Sequence, residues 1–156
     1  TLPYLKPAVD EMVQNFSLRA LVIDNVSDKY DAYAASSAAL AASGTVALEL
    51  GQAGLPAVIG YRMHPVTTMI AKALVKTKYA SLINIVLDKM VMPEFLAEKC
   101  VPQNLKPELE KILYQEGAAQ KQKDAFLAAF DILKGQHGKT PSAYAADIIL
   151  NHIAQK

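Results

Sequence analysis

A-A-L-A-A-S-G-T-V-A-L-E-L-G-Q-A-G-L-P-A-V-I-G-Y, residues 38 to 61, decides how the chain folds. Ala57 to Tyr61 is a short apolar run bounded by Pro56 and a polar stretch, the pattern of a buried strand. Ahead of it, Thr45 to Ala53 reads as a helix. Gly54 stops that helix and Pro56 forbids its continuation. Ala38 to Ala42 has little strand propensity of its own. Its place before an S-G-T turn and a helix nevertheless makes it a strand. A strand–turn–helix–strand unit of this length joins parallel strands.

Reading outward, the same alternation continues. Pro7 opens an N-terminal helix whose apolar side carries Val9, Met12, Val13 and Phe16. Leu18 to Ile23 reads as a strand, and Ser27 as the cap of a helix from Asp28 to Ala35. Downstream, His64-Pro65 opens a helix. Tyr79 to Leu87 reads as a short strand and a loop, and Pro93 to Lys99 as a short helix. Three helices follow, over 106–115, 118–134 and 141–155, the last capped by Thr140. The expectation is an α/β fold: a Rossmann-like parallel sheet with helices on both faces and a helical C-terminal tail from residue 106. With 156 residues and no linker, the chain reads as one domain, 1–156.

Composition narrows the function. The chain is 52% hydrophobic and 20% charged, which excludes a disordered tail. A net charge of +1 argues against nucleic acid as a partner, since phosphate binding needs clustered positive charge. The lone Cys100 excludes an internal disulfide and suits a reducing compartment. His64, His137 and His152 share no metal-ligand spacing, so no metal and no cofactor is expected. No apolar run reaches the ~18 residues of a membrane span.

In sheets of this kind ligands bind beyond the carboxyl ends of the strands. Ser43-Gly44-Thr45 occupies such a place. Gly44 lets a ligand approach the backbone, and the flanking hydroxyls add hydrogen bonds to phosphate. The same turn also serves as a plain helix cap. Glu49 lies four residues after Thr45 and shares its helix face. An ionised carboxylate only accepts hydrogen bonds, so it suits a neutral diol such as a ribose beyond the phosphate. A solvated Glu balancing the helix dipole is the simpler alternative.

Three segments then carry a resemblance. A-S-G-T-V-A-L-E-L-G-Q-A-G-L-P-A-V-I-G-Y-R-M, residues 42 to 63, resembles the nucleotide-binding domain of GT-B glycosyltransferases. H-P-V-T-T-M-I-A-K-A-L-V-K-T-K-Y-A-S-L-I-N-I-V-L-D (64 to 88) and M-P-E-F-L-A-E-K-C-V-P-Q-N-L (92 to 105) make it similar to the lipid-A-disaccharide synthase family. The resemblance implies the donor half of an inverting hexosyltransferase. Such an enzyme joins UDP-2,3-diacylglucosamine to 2,3-diacylglucosamine 1-phosphate and forms the β-1,6-linked lipid A disaccharide without a metal. It further implies Ser43, Gly44 and Thr45 at the diphosphate, Glu49 at the ribose, Tyr61, Arg62 and Met63 lining the nucleotide cleft, and Asn84 as a polar residue at the third crossing.

The departures are informative. Ile83 stands where the family commonly has Pro, and Ala97 where a Gln is usual, which leaves Glu94 as a lesser candidate. No P-G-S-R loop is found. The opening T-L-P-Y-L reads as a processed end or as the middle of a longer enzyme. The second of these agrees with the resemblance: an N-terminal domain carrying the base and the acceptor site is expected to be missing, and the piece alone is expected to be inactive. The other expected partners are the UDP-diacylglucosamine donor, the lipid acceptor, a peripheral membrane surface and a second copy joined by helix exchange. The expected location is cytoplasmic, at the inner membrane. Two alternatives stay open: another UDP-sugar enzyme of the GT-B type (a cell-wall glycosyltransferase or UDP-GlcNAc epimerase), and a non-catalytic Rossmann-like binding module.

Overall fold

The computed structural model describes residues 1–17, 19–42, 44–63, 77–134 and 140–154. Ser43, His64 and the helix expected after it, Gly135 and His137 lie outside the described residues. The chain divides into two compact units, Thr1–Ser36 and Ser37–Lys156.

In the first unit a 3-10 turn, Pro3–Leu5, runs into helix α1, Lys6–Gln14. Pro7 sits in its first turn, where a missing N–H costs nothing. Lys6 pairs with Asp10 one turn on, at 3.2 Å, and donates to the Val22 carbonyl. Helix α2 spans Val26–Ala35. It starts two residues before the expected point because Asn25, not Ser27, is the cap. Asn25 Oδ1 accepts from the Asp28 N–H at 2.8 Å, while its amide donates to the Asp28 carboxylate. The strand expected over Leu18 to Ile23 is not formed by the described residues 19–23, which join no ladder. None of the described residues of this unit is buried. Its described contacts include helix caps and turns together with the tie from Lys6 to the Val22 carbonyl.

The second unit holds the sheet. β1 (Ala39–Ala41), β2 (Ala57–Tyr61) and β3 (Glu94–Leu96) are all parallel, with β2 in the middle. Ala41 pairs with Ile59, and Tyr61 with Leu96. Helix α3 (Val46–Gln52) crosses from β1 to β2, as expected, and packs on both. Helix α4 (Leu82–Leu87) replaces the strand and loop expected over Tyr79 to Leu87. Ser81 is its cap, accepting from the Asn84 N–H, and Asp88 closes it in the left-handed conformation at φ 43°. The helix expected over Pro93 to Lys99 is instead β3 followed by a 3-10 turn, Ala97–Lys99. The free edge of β2 decides this: the Ile59 N–H donates to the Pro93 carbonyl at 2.8 Å, so local propensity yields to sheet pairing.

Helices α5 (Pro102–Tyr114), α6 (Ala118–Leu133) and α7 (Pro141–Ala154) form the expected helical tail. Helix α5 packs on β2, and α6 packs on α3, α4 and α5. Leu50, Val58, Ile59, Ile83, Met92 and Phe126 form the centre of the core at 0–1% exposure. Each such side chain contributes about 1.5–3 kcal/mol by leaving water. Helix α7 is different. Ile148, Ile149, Leu150 and Ile153 are all more than half exposed.

Candidate functional site

Parallel pairing puts the carboxyl ends of all three strands on one edge. The loop after β1 holds Gly44 and Thr45, and the loop after β2 holds Arg62 and Met63. The turn after β3 starts at Ala97. Because Ala41 pairs with Ile59, the chain turns into α3 beside β2, two residues before that strand ends at Tyr61.

Gly44 has φ +125°, a conformation that L side chains rarely adopt, and a Cβ built on it meets nothing within 4 Å. Among the described residues, nothing occupies the place a side chain at Gly44 would take. Thr45 is exposed and precedes the first residue of α3, and its side chain makes no cap bond. The Gly44 and Thr45 carbonyls accept from Ala47, Leu48 and Glu49, which fixes the turn to the helix. Glu49 is half-buried in the first turn of α3, on the Thr45 side. Tyr61, the last residue of β2, is 43% exposed. Arg62 is exposed and Met63 half-buried.

Gly60 sets how these residues sit. A Cβ there would lie 3.2 Å from both Cys100 Sγ and Leu105 Cδ2. A side chain there would need Cys100 or Leu105 to give by a few tenths of an ångström where α5 and the turn before it approach β2, just before Tyr61 and Arg62.

Asn84 is placed differently from the others. It is fully buried in α4, and all four of its hydrogen-bonding positions are used by the protein. Its Oδ1 accepts from the N–H groups of Val91 (2.8 Å) and Met92 (3.0 Å). Its Nδ2 donates to the Met92 carbonyl (2.8 Å) and to Glu94 Oε1 (2.7 Å). Glu94 also accepts from the Ser81 N–H at Oε1 (2.7 Å) and the Ala80 N–H at Oε2 (2.8 Å). The sequence offered Glu94 only through the M-P-E run. Its partners lie 10 to 14 residues away and carry no signal of spacing.

Ala97 is a second feature that the sequence did not disclose. It is a buried, non-glycine residue at φ 52°, at the carboxyl end of β3. The left-handed conformation costs an L residue roughly 1–2 kcal/mol, and such costs concentrate at functional sites. Among the described residues, no group of three or more His, Cys, Asp and Glu side chains is arranged to hold a metal ion.

A parallel three-stranded sheet with helices packed on it, and with turns of this kind at its carboxyl edge, is a Rossmann-like α/β half. The sequence pattern of the family described as Lipid-A-disaccharide synthetase matches residues 4–149, and the chain belongs to that family. A lipid-A-disaccharide synthase of Rhodospirillum centenum is 42% identical over all 156 residues, which are 39% of that protein's length. One from Paramagnetospirillum magneticum is 40% identical over 99% of the chain and 40% of its own length. One from Gluconobacter oxydans is 33% identical over 94% of the chain and 35% of its own length. The chain thus spans about two fifths of the curated relatives it matches.

Proposed function

We propose that this chain binds the UDP-sugar donor in a glycosyltransferase that forms the lipid A disaccharide. In this reading the backbone at Ser43, Gly44 and Thr45 holds the diphosphate, Glu49 accepts from the ribose hydroxyls, and Tyr61, Arg62 and Met63 line the cleft. Asn84 belongs to the same half-site. The observation that carries the reading is the side-by-side exit of two parallel strands, which gives Gly44–Glu49 and Tyr61–Met63 one common edge.

The chemistry is the one that membership of the family implies. The 6-hydroxyl of a 2,3-diacylglucosamine 1-phosphate acceptor attacks the anomeric carbon of UDP-2,3-diacylglucosamine. Its proton passes to a base on the part of the enzyme outside these residues. The bond to UDP breaks with inversion, and the departing diphosphate gathers negative charge. Backbone N–H groups and the Arg62 guanidinium stabilise that charge where it develops. Both sugars carry acyl chains, so the whole enzyme works at a membrane surface. Among the described residues no helix is long and apolar enough to cross a membrane.

Titration of the chain with UDP tests this reading. We expect binding that Glu49→Ala weakens about tenfold or more, as for a lost hydrogen bond to a charged group. Unchanged affinity removes Glu49 from the site. Absence of UDP binding, both by this chain and by a two-domain protein that carries it, overturns the reading in favour of a non-catalytic Rossmann-like module.

A further inference from the structure

We infer that Glu94 and Asn84 are positioning residues, a buried latch that sets the third loop of the nucleotide edge, and that neither touches the ligand. The inference rests on the nucleotide reading above. It differs from that reading in what it gives Asn84 to do.

The Asn84 side chain has two donor hydrogens and two acceptor sites, and the protein occupies all four. With no exposure and no spare valence, it can bind a ligand only by breaking one of these bonds. Its orientation is fixed by its neighbours. A flipped amide would set its oxygen against the Met92 carbonyl and the Glu94 carboxylate. The bond to Glu94 is charge-assisted and short, at 2.7 Å, and belongs to the stronger class of hydrogen bonds.

The latch joins two stretches of backbone. Through Glu94 it holds Ala80 and Ser81, the residues that lead into α4. Through Asn84 it holds Val91 and Met92, the residues that lead into β3. Glu94 is itself the first residue of β3 and pairs with Ile59. Two residues later Leu96 pairs with Tyr61, and Ala97 then takes its left-handed conformation. The carboxylate therefore fixes the start of a three-residue strand whose far end forms the ligand edge beside Tyr61. A strand this short has too few ladder bonds to hold its own register, so the latch does it.

The test is a double-mutant cycle on UDP affinity with Asn84→Ala, Glu94→Ala and the pair. It is made well below the thermal midpoint of each variant, with the side-chain amide signals of Asn84 followed by NMR. We expect each single variant to weaken UDP about tenfold and the pair to do little more, because both remove one device. We also expect the Asn84 amide protons to exchange slowly and not to shift when UDP is added. Glu94→Gln, which keeps the shape but sets an NH2 group against one backbone N–H, serves where an alanine variant does not fold; it should show an intermediate loss. Direct contact predicts the opposite: Asn84→Ala weakens UDP, Glu94→Ala and Glu94→Gln do not, and the Asn84 amide signals shift on binding. That result overturns the latch and leaves the nucleotide reading intact. A purely structural role predicts lower thermal midpoints with wild-type affinity in the folded protein, and it also overturns the latch. If the wild-type protein, tested as above, binds no UDP, the nucleotide reading fails and takes this role with it.

Discussion

Gln122 and Ala57 exchange two hydrogen bonds across 65 residues of sequence. The Ala57 N–H donates to Gln122 Oε1 at 2.9 Å, and Gln122 Nε2 donates to the Ala57 carbonyl at 3.3 Å. A side chain on α6 thus does what a neighbouring strand would do for the first residue of β2. Both groups are buried, so their alternative is not water but nothing.

Gln122→Leu keeps the volume and removes both bonds. It leaves a buried backbone N–H without an acceptor, at a cost of about 1–3 kcal/mol. For a chain of this size each kcal/mol lowers the midpoint by about 2–4 °C. Thermal unfolding followed by circular dichroism should show a fall of several degrees with an unchanged native spectrum. A midpoint within a degree of wild type would mean that the pairing contributes nothing net.

Gly60 is a matter of space. An added methyl would press on Cys100 Sγ and Leu105 Cδ2 together, each at 3.2 Å. Gly60→Ala should therefore cost about 1–3 kcal/mol by overpacking. Leu105→Val, which removes the obstructing Cδ2 methyl, should recover part of that loss when combined with it. Urea unfolding of the two single variants and the pair measures the coupling. Additive losses would show that the strand, and not α5, absorbs the methyl. Since Tyr61 and Arg62 follow directly, such a shift would also appear as weaker UDP binding.

These residues also show what the sequence discloses and what it hides. β2 is read at its observed bounds because Ala57 to Tyr61 is apolar on both faces and Pro56 marks its start. Helices α6 and α7 are read within a residue at either end, since their apolar period is long. The 79–99 stretch misleads. Leu82 to Leu87 is apolar enough to read as a strand, but Ser81 caps it and Asn84 needs an interior place on a helix to reach Met92 and Glu94. Glu94 to Leu96 has no strand signature, and it becomes one because an open edge of β2 lies beside it. Gly44, Thr45 and Glu49 could be named as one cluster because four residues of helix join them. The tie between Glu94 and Asn84 could not, because only the folded chain brings the two together.

Among the described residues Gly44 has no neighbour that a methyl would strike, so a substitution there is expected to act through the backbone. Gly44→Ala forces either an unfavourable conformation, worth about 1–3 kcal/mol, or a reshaped turn. A calorimetric UDP titration, paired with a thermal scan, tells the two apart. Strain kept in place lowers the midpoint and spares UDP affinity. A reshaped turn restores the midpoint and weakens UDP. We expect the second, since no described residue lies where the methyl would go. Wild-type values on both axes would remove Gly44 from the site.

Arg62 and Glu49 are assigned to different parts of one ligand, and that makes the assignment separable. Arg62 is exposed, so its attraction for a diphosphate is screened, and Arg62→Ala should weaken UDP by about three- to tenfold. Uridine, which lacks the phosphates, should bind Arg62→Ala and wild type alike. Glu49→Ala should weaken UDP and uridine by the same factor, because the ribose is common to both. Arg62→Lys should restore part of the loss, since a single ammonium keeps the charge but not the two-pronged geometry. Raising the salt concentration should weaken UDP binding to wild type more than to Arg62→Ala. If Arg62→Ala instead weakens uridine as much as UDP, the side chain serves the nucleoside or the loop, and the diphosphate is held by the turn at Gly44 alone.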